Sequence, residues 1–356
     1  MIALSILLLF LCSFSLGAQS QEFDVTRIDG RLLNGRLLDE ALEFQRVPLS
    51  LSSDMTAQEK RQGARPVGQF VSFRTESTSV GVITVREGVK MGKCNGPISA
   101  AGFDLYIKNN NKWLWAGSVL PEDNEPSWLV TDMKPEMKEC LLYMPLGCQV
   151  KSLQICHTKN SEIELENFLR NKIAVFGSSF TEGAATSRPG MTWCAQLSRN
   201  TGVLFANFGF AGNAKLQDYF SDMLVQMDVD AYVIDGFSNP TPQEMRDRLQ
   251  PFIMKIRSQK PNTPIIFLKS IYREIRNFNS KTDAYESERS HVSDSLMRIM
   301  QKEFDAVYWI TTTNATDKKR HETSVDGTHP SDYGYTIWAE SVEKPIMRIL
   351  KKHKIN

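Results

Sequence analysis

The stretch that decides the fold is Lys172-Ile-Ala-Val-Phe176, which runs directly into Gly177-Ser-Ser-Phe-Thr-Glu-Gly183. An uninterrupted apolar run between a charged residue and a glycine is typical of a strand that is buried on both faces. The glycine and serines that follow favour a tight turn, after which a helix can begin. The stretch therefore predicts a buried strand that leads through a turn into a helix.

The same alternation of strand and helix continues to the C-terminus. Further buried strands are predicted at 203–207, 231–234, 265–268 and 306–309. Segments with helical periodicity are predicted at 242–259, 286–304 and 331–351. Repeated strand and helix units indicate a parallel sheet with helices on both faces, so we expect an α/β domain over 161–356.

The first half of the chain, 19–160, has a different period. Apolar residues alternate with polar ones, or come in short bursts, at 70–75, 80–85, 103–107, 113–115 and 139–144. Period two between clusters of Gly, Pro and Asn is typical of antiparallel strands. We expect an all-β sandwich or jelly roll here, followed by a polar connector at 161–168 that can form a helix.

The first eighteen residues form a separate segment. An apolar run from Ile2 to Leu16 precedes small residues at Gly17 and Ala18. The run is shorter than the roughly 20 residues that cross a bilayer, and the small residues suit signal peptidase. We expect a signal peptide at 1–18 and an exported protein that is periplasmic, secreted or at the cell surface. Because no Lys or Arg precedes the run, an uncleaved anchor is the alternative.

Charge and cysteine content exclude several classes of function. The 42 basic and 41 acidic side chains leave a net charge of +1, without the basic excess that nucleic acids or anionic membranes require. Neither CxxC pairs nor clustered histidines give metal-ligand spacing, so we expect no metal and no other cofactor. After the signal segment five cysteines remain, and this odd number allows a Cys140–Cys148 disulfide or only buried free thiols.

Ser179 lies where a hydroxyl can be presented for chemistry. A serine on a tight turn between strand and helix can point out of the sheet, and nearby N–H groups can face a carbonyl oxygen. The hydroxyl needs a base, and imidazole suits that task near neutral pH. His329 follows the last predicted strand, and Asp326 on the same loop can accept its other ring N–H. Taken singly, each motif also has a structural explanation as a turn or a helix cap.

Taken together, four segments resemble the sequence blocks of the SGNH (GDSL-like) hydrolases. Gly177-Ser-Ser-Phe-Thr-Glu-Gly183 resembles the first block, Gly-Asp-Ser-x-Thr-x-Gly, and Asp326-x-x-His329 resembles the last. Asn207-Phe-Gly-Phe-Ala-Gly-Asn213 and Asp235-Gly-Phe-Ser-Asn239 resemble the two middle blocks, and each follows a predicted strand. The resemblance implies a flavodoxin-like three-layer domain and a serine esterase.

The resemblance also implies a role for individual residues. Ser179, His329 and Asp326 correspond to the catalytic residues. The N–H groups of Ser179 and Gly212 and the side chain of Asn239 correspond to the oxyanion hole. Ser178 stands where the family has an acidic residue, which leaves two adjacent serines, and the block alignment selects Ser179.

One branch of the family is still more similar. Gly102-Phe-Asp-Leu-Tyr106 and Ser187-Arg-Pro-Gly-Met-Thr-Trp193 resemble a branch in which a β-sandwich, named for Gly-x-Asp-Leu-Tyr, precedes the esterase domain. This resemblance implies cofactor-free hydrolysis of short acyl esters, in particular acetyl, on a small molecule or polysaccharide. Two rivals remain: a non-catalytic carbohydrate-binding surface protein, and a hydrolase of lipid acyl chains or thioesters. The sequence has no long apolar lid segment, which favours short acyl groups.

A further candidate is the polar segment from 272 to 285, which follows the fourth strand of the α/β half. It carries Arg273 and Arg276. Because ligands bind beyond the carboxyl ends of parallel strands, we expect these two arginines to line a substrate groove.

Overall fold

The computed structural model describes residues 22–316 and 321–355. The signal peptide expected at 1–18 lies outside the described residues and stays a prediction. Within the described part of the chain, no helix combines the length and the apolar character that crossing a membrane requires.

The N-terminal half is built mainly from two antiparallel sheets. Its elements are β1 (Phe23–Arg27), α1 (Ala57–Gly63), β2 (Phe70–Thr75), β3 (Val80–Glu87), α2 (Pro97–Ala101), β4 (Phe103–Asn109), β5 (Lys112–Val119), β6 (Ser127–Val130), β7 (Lys138–Tyr143), β8 (Gln149–Thr158) and β9 (Glu164–Leu165). One sheet has the order β1-β8-β3-β6, and the other has the order β5-β4-β7-β2-β9. Side chains from both sheets, such as Phe73 and Ile155, share one buried core. The predicted all-β sandwich is confirmed.

The connector between the two halves is extended rather than helical. Leu165 of β9 pairs with Phe73 of β2, so the sheet continues past residue 160. The helical alternative for 161–168 is therefore wrong, because backbone pairing with a sheet edge outweighs the weak local preference of a polar segment. The domain boundary at 160/161 stays a prediction.

Between β1 and β2 the chain leaves the sandwich and covers the other half of the molecule. Leu37, Val47 and Met55 are buried in a core that also contains Phe176 and Phe208. This part of the chain includes α1, whose N-terminus is closed by a capping box. Sequence periodicity missed it, because its apolar residues are irregularly spaced and face a surface that forms only on folding.

The C-terminal half is an α/β domain with helices on both faces of a parallel sheet. Its elements are β10 (Arg170–Gly177), α3 (Ser179–Glu182), α4 (Trp193–Thr201), β11 (Val203–Gly209), α5 (Asp218–Val225), β12 (Ala231–Asp235), α6 (Pro242–Gln259), β13 (Ile265–Leu268), α7 (Ser280–Glu303), β14 (Val307–Ile310) and α8 (Asp332–Lys352). The strand order is β11-β10-β12-β13-β14, and every neighbouring pair is parallel. This flavodoxin-like order confirms the predicted fold.

In the strand order, the chain passes from β10 to β11 on one side and then returns to β12 on the other side of β10, so the direction of the connections reverses at β10. A ligand-binding crevice forms at such a point, beyond the carboxyl ends of the strands. Two glycines let α3 lie directly on this edge: a Cβ at Gly177 would approach Thr181 Oγ1 to 2.2 Å, and a Cβ at Gly209 would approach Glu182 N to 2.1 Å. The start of α3 is thereby fixed at the mouth of the crevice.

Candidate active site

The two adjacent serines after β10 have different environments. Ser178 is fully buried, donates its hydroxyl to Asp235 Oδ2 at 2.7 Å and accepts the Phe180 N–H at 3.1 Å as the N-cap of α3. Ser179 is half-buried and lines a cavity at the surface of the crevice. Of the two hydroxyls, only that of Ser179 lies beside an imidazole, which agrees with the choice made from the sequence.

The structure brings together the three residues predicted as catalytic. Ser179 Oγ lies 3.0 Å from His329 Nε2, and His329 Nδ1 lies 2.9 Å from Asp326 Oδ2. The ring of Phe180 packs edge-on against the imidazole, with centroids 5.7 Å apart. In this arrangement Nε2 can take a proton from Ser179 while Nδ1–H donates to Asp326, which fixes the ring tautomer.

Asp326 is held in its ionised form. Partial burial acts to raise the pKa of Asp326, but hydrogen bonds from the N–H groups of His329 and Thr328 and from the imidazole outweigh it. The pKa of this carboxyl therefore lies well below its usual range. The carboxylate keeps its charge across the pH range in which an imidazole acts as a base.

Cys94 of the sandwich half contacts this triad. Its thiol donates to Asp326 Oδ2 at 3.3 Å, and burial, together with this hydrogen bond, raises the pKa of Cys94. Ligand atoms of Cys94, Asp326 and His329 lie within 4.8 Å of one another, and thiolate, imidazole and carboxylate are ligands that Zn²⁺ accepts. An ion bound there would engage Asp326 and His329, the two residues that the triad needs to activate Ser179.

The five cysteines of the described chain are free thiols. Cys94 is partly exposed and the others, Cys140 and Cys148 among them, are buried. Of the two alternatives for the cysteines, the structure therefore has the free thiols rather than the Cys140–Cys148 disulfide.

The loop that carries the histidine is anchored by a residue that the sequence did not reveal. Glu274 accepts the N–H groups of Glu322, Thr323 and Ser324 through its carboxylate. The next residue, Ile275, donates its N–H to the Gly327 carbonyl at 2.8 Å. The segment after β13 thus positions the loop, and no local pattern could have indicated a contact across about fifty residues.

Asp235, at the end of β12, ties the sheet to the start of α3. It is fully buried and accepts hydrogen bonds from the hydroxyls of Ser178, Thr181 and Ser238. Burial raises the pKa of Asp235 although these hydrogen bonds oppose the rise. The serine that replaces the family's acidic residue at 178 is thus paired with an acid on the neighbouring strand.

Two of the three groups predicted for the oxyanion hole are free to donate. Within the described residues, the N–H groups of Ser179 and Gly212 bond to no acceptor. Ala211, next to Gly212, lines the same cavity as Ser179. Asn239 does not line this cavity, and its buried Oδ1 has no hydrogen-bond partner among the residues that the structure describes. The oxyanion role of Asn239 stays a prediction.

The cavity beside Ser179 has a volume of about 310 Å³ and lies between the two halves of the molecule. Its walls come from α1 and Arg65, from the loop between β3 and α2, from the segments that follow β10 and β11, and from the loop that carries His329. The size is at the lower end of the range of small-molecule sites, about 300–1,000 Å³. A single sugar unit with a short acyl group is of the right order to occupy it.

The Gly-x-Asp-Leu-Tyr segment joins the two halves. Asp104 is fully buried and accepts Arg188 Nη1 at 2.8 Å and the Gly190 N–H at 2.9 Å. Arg188 also donates to the Tyr106 hydroxyl at 2.5 Å. The two segments that resembled the two-domain branch are therefore partners across the domain interface.

Arg273 and Arg276 do not line this cavity. Arg276 lines a separate cavity of about 240 Å³ beyond β13, and the substrate groove expected there stays a prediction. Arg273 donates to Glu286 and to the Ser238 carbonyl, and Arg276 pairs with Asp283. Both arginines are thus bonded to acidic side chains of α7, which lies beside the segment that carries them.

Comparison with known proteins identifies the family. The family described as GDSL-like lipase/acylhydrolase matches residues 170–347, half of the chain. The chain belongs to this family. A second family, described as the GxDLY N-terminus of SGNH-hydrolase-type esterases, matches residues 21–163. A comparison with curated protein sequences gives no match.

Solved structures agree with this assignment. A Bacteroides ovatus protein assigned as a GDSL-like lipase is 34% identical, with a TM-score of 0.86 over 92% of this chain and 98% of that chain. The salicylyl-acyltransferase SsfX3 of a tetracycline biosynthetic pathway is 19% identical, with a TM-score of 0.68 over 91% of this chain and 94% of that chain. A family two carbohydrate esterase from Clostridium thermocellum, in complex with cellohexaose, is 12% identical, with a TM-score of 0.55 over 92% of this chain and 99% of that chain. This GDSL-like hydrolase is a carboxylic ester hydrolase by family, and the two more distant structures share its fold.

Proposed function

We propose that this GDSL-like hydrolase is an exported serine esterase that removes short acyl groups, in particular acetyl, from carbohydrate. The observation that carries the proposal is the hydrogen-bonded chain from Ser179 through His329 to Asp326 at a cavity of sugar size. A hydroxyl, an imidazole and a carboxylate in this order are the groups that acyl transfer to a serine requires.

The reaction begins with transfer of the Ser179 proton to His329 Nε2 as Oγ attacks the ester carbonyl. Asp326 stabilises the imidazolium that forms, and its depressed pKa keeps it charged while it does so. His329 then returns the proton to the leaving alcohol. Water repeats the two steps on the acyl-enzyme and releases the acid.

The negative charge that develops on the carbonyl oxygen is stabilised mainly by backbone hydrogen-bond donors. The unpaired N–H groups of Ser179 and Gly212 are available for it, and we assign the side chain of Asn239 as the third donor. Loss of one such donor typically costs about 100- to 1,000-fold in kcat. Asn239→Ala should therefore lower kcat by that factor while KM changes little.

The substrate class rests on shape and on the distant relatives. Few bulky apolar side chains line the cavity, Leu146 among them, which disfavours a long acyl chain. Carbohydrate esterases share the fold, one of them in complex with cellohexaose. These features support a short acyl group on a sugar over a lipid ester.

The first experiment measures hydrolysis of p-nitrophenyl acetate and butyrate by the purified protein without residues 1–18. Ser179→Ala and His329→Ala should each lower kcat/KM by at least about a thousandfold. Ser178→Ala is the matched control. It removes a buried hydrogen bond to Asp235 but not the nucleophile. At temperatures below the melting temperature of the variant, its kcat/KM should therefore stay within about tenfold of wild type.

The outcomes separate the alternatives. Loss of activity in Ser178→Ala with retention in Ser179→Ala would overturn the assignment of the nucleophile. A folded wild type that hydrolyses neither ester, nor acetylated xylan, would favour a non-catalytic carbohydrate-binding protein. Faster hydrolysis of decanoate than of acetate would favour a lipid esterase.

Export is tested separately. Expression of the full chain in a bacterial host, followed by cell fractionation and intact mass measurement, should give a mature protein outside the cytoplasm that begins near residue 19. A full-length protein retained in the membrane fraction would favour the uncleaved anchor.

A further inference from the structure

Three cations face the cavity without a partner. Arg61 of α1, and Lys90 and Lys93 of the loop between β3 and α2, are exposed and line the same cavity as Ser179 and His329. Across the described residues, none of the three makes an ion pair or a side-chain hydrogen bond. Elsewhere on the chain many surface cations do have such partners, for example Lys108 with Glu139.

The acidic groups of the cavity do not neutralise these cations. Both carboxylates of the lining already have partners: Glu182 pairs with Arg65 at 3.7 Å, and Asp326 accepts the Nδ1–H of His329. Four cations against two carboxylates leave the lining with a local charge of 4 − 2 = +2. The whole chain carries only +1, so the excess is a property of this cavity rather than of the protein.

The segments that carry the cations are held against the candidate catalytic residues. In the loop, Cys94 bonds to Asp326, and Asn95 Oδ1 accepts the Ala185 N–H at 3.4 Å. On α1, Gln62 donates to the Ala211 carbonyl at 3.0 Å. At the start of the loop, the Lys90 N–H donates to the Gly147 carbonyl at 2.9 Å. These contacts hold the backbone near each cation, so the charges remain at the cavity when the long side chains move.

We infer that the ester substrate carries an anionic group, such as the carboxylate of an acidic sugar, and that Arg61, Lys90 and Lys93 bind it while Ser179 attacks the acyl carbon. The inference rests on the proposed esterase function and narrows its substrate. The anion can lie on the alcohol side of the ester or on the acyl side. The chemistry of recognition is the same in both cases.

The expected effect follows from exposed charge pairs. One such pair contributes modestly, so each substitution to glutamine should lower kcat/KM for an anionic ester by about three- to fivefold. The triple variant should lose about 30- to 100-fold if the three act nearly independently. The preference for the anionic ester should also shrink as ionic strength rises, because salt screens exposed charges.

The experiment compares pairs of substrates in which one member carries a carboxylate where the other has a neutral group of similar size. For the alcohol side, the pair is O-acetylated methyl glucuronoside and O-acetylated methyl glucoside; for the acyl side, it is O-succinyl and O-butyryl methyl glucoside. Release of the acid is measured for wild type and for the triple variant Arg61→Gln, Lys90→Gln, Lys93→Gln. The matched control is Lys112→Gln, Arg298→Gln, Lys302→Gln, three exposed cations outside the cavity.

Preference for one anionic ester, lost in the cavity variant and kept in the control, supports the inference and identifies the side that carries the charge. Equal hydrolysis of charged and neutral esters by wild type, with the cavity variant unchanged, overturns it and leaves the esterase function intact. If no ester is cleaved, the esterase function fails first. The cations are then tested by NMR titration of methyl glucuronoside and methyl glucoside into Ser179→Ala, where equal binding overturns the inference.

Discussion

Replacement of Asp104 by leucine should weaken the interface between the two halves of the molecule. Asp104 is fully buried; its Oδ2 accepts Arg188 Nη1 at 2.8 Å and the Gly190 N–H at 2.9 Å, and its Oδ1 accepts Trp115 Nε1 at 3.1 Å. Leucine has nearly the same shape but offers no acceptor. Both donors from the 188–190 segment then lose their partner.

The size of the effect can be estimated contact by contact. A buried N–H left without an acceptor, here that of Gly190, costs about 1–3 kcal/mol. The side chain of Arg188 is 21% exposed, so water can partly replace its lost partner, and its share is limited to about 1 kcal/mol. Asp104→Leu should therefore lower the free energy of unfolding by about 2–4 kcal/mol.

Charge by itself does not stabilise this contact. Burial raises the pKa of Asp104 even though Arg188 and the Gly190 N–H oppose the rise. The ionised carboxyl thus gains less from its partners than it loses by leaving water. The cost of Asp104→Leu comes from the unsatisfied donors, which is why a neutral residue of similar size is still harmful.

Urea unfolding followed by tryptophan fluorescence measures this difference. Asp123→Leu is the control: Asp123 pairs with Arg86 but is 40% exposed, so its loss should cost no more than about 1 kcal/mol. A stability of Asp104→Leu within about 0.5 kcal/mol of wild type, with the same slope in urea, would refute the proposed clamp between the halves.

Three further predictions concern the site and its supports. Asp326→Asn should lower the melting temperature at pH 5–8, and the difference in melting temperature from wild type should disappear only below about pH 4. The reason is that a carboxyl group whose pKa is depressed in the fold stabilises it above the unfolded pKa and loses this effect as the pH falls through the folded pKa. A difference already lost at pH 6 would contradict this prediction. Zn²⁺ should inhibit ester hydrolysis, and EDTA should restore the activity. Cys94→Ala should raise the Zn²⁺ concentration needed for inhibition at least about tenfold. Equal sensitivity of the variant and wild type would show that Cys94 is not a zinc ligand. Arg46→Met should lower the free energy of unfolding, measured in urea, by about 3–5 kcal/mol. Arg46 is fully buried, bonds to four backbone carbonyls and keeps its charge, although burial lowers its pKa to about 10. A loss below about 1 kcal/mol would contradict this prediction.

The choice between Ser178 and Ser179 shows what a local pattern can decide. Both serines fit a turn between strand and helix, and only the alignment of blocks separated them. The structure adds a physical reason, since Ser178 Oγ is committed to Asp235 on the neighbouring strand and Ser179 Oγ faces His329. Neither partner lies near the serines in sequence, so no window around residue 179 contains this information.

The arginines of the segment after β13 show what pattern reasoning leaves open. Arg273 and Arg276 were placed correctly beyond the carboxyl end of a strand, but their guanidinium groups bond to α7 and to the Ser238 carbonyl. Position at the right edge of a sheet does not fix the direction of a long side chain. The residue of this segment that does support the site is Glu274, through the backbone of the histidine loop.

The sequence by itself determined the two kinds of domain, the five strands of the parallel sheet and the four blocks, because strand and helix periods and turn residues act over a few neighbouring positions. Only the tertiary structure decided which sandwich residues enter the site. Cys94 meets Asp326 across 232 residues, and Arg46 reaches the carbonyl of Asn207 across 161. Such contacts depend on how two cores pack against each other, and a local pattern carries no record of that.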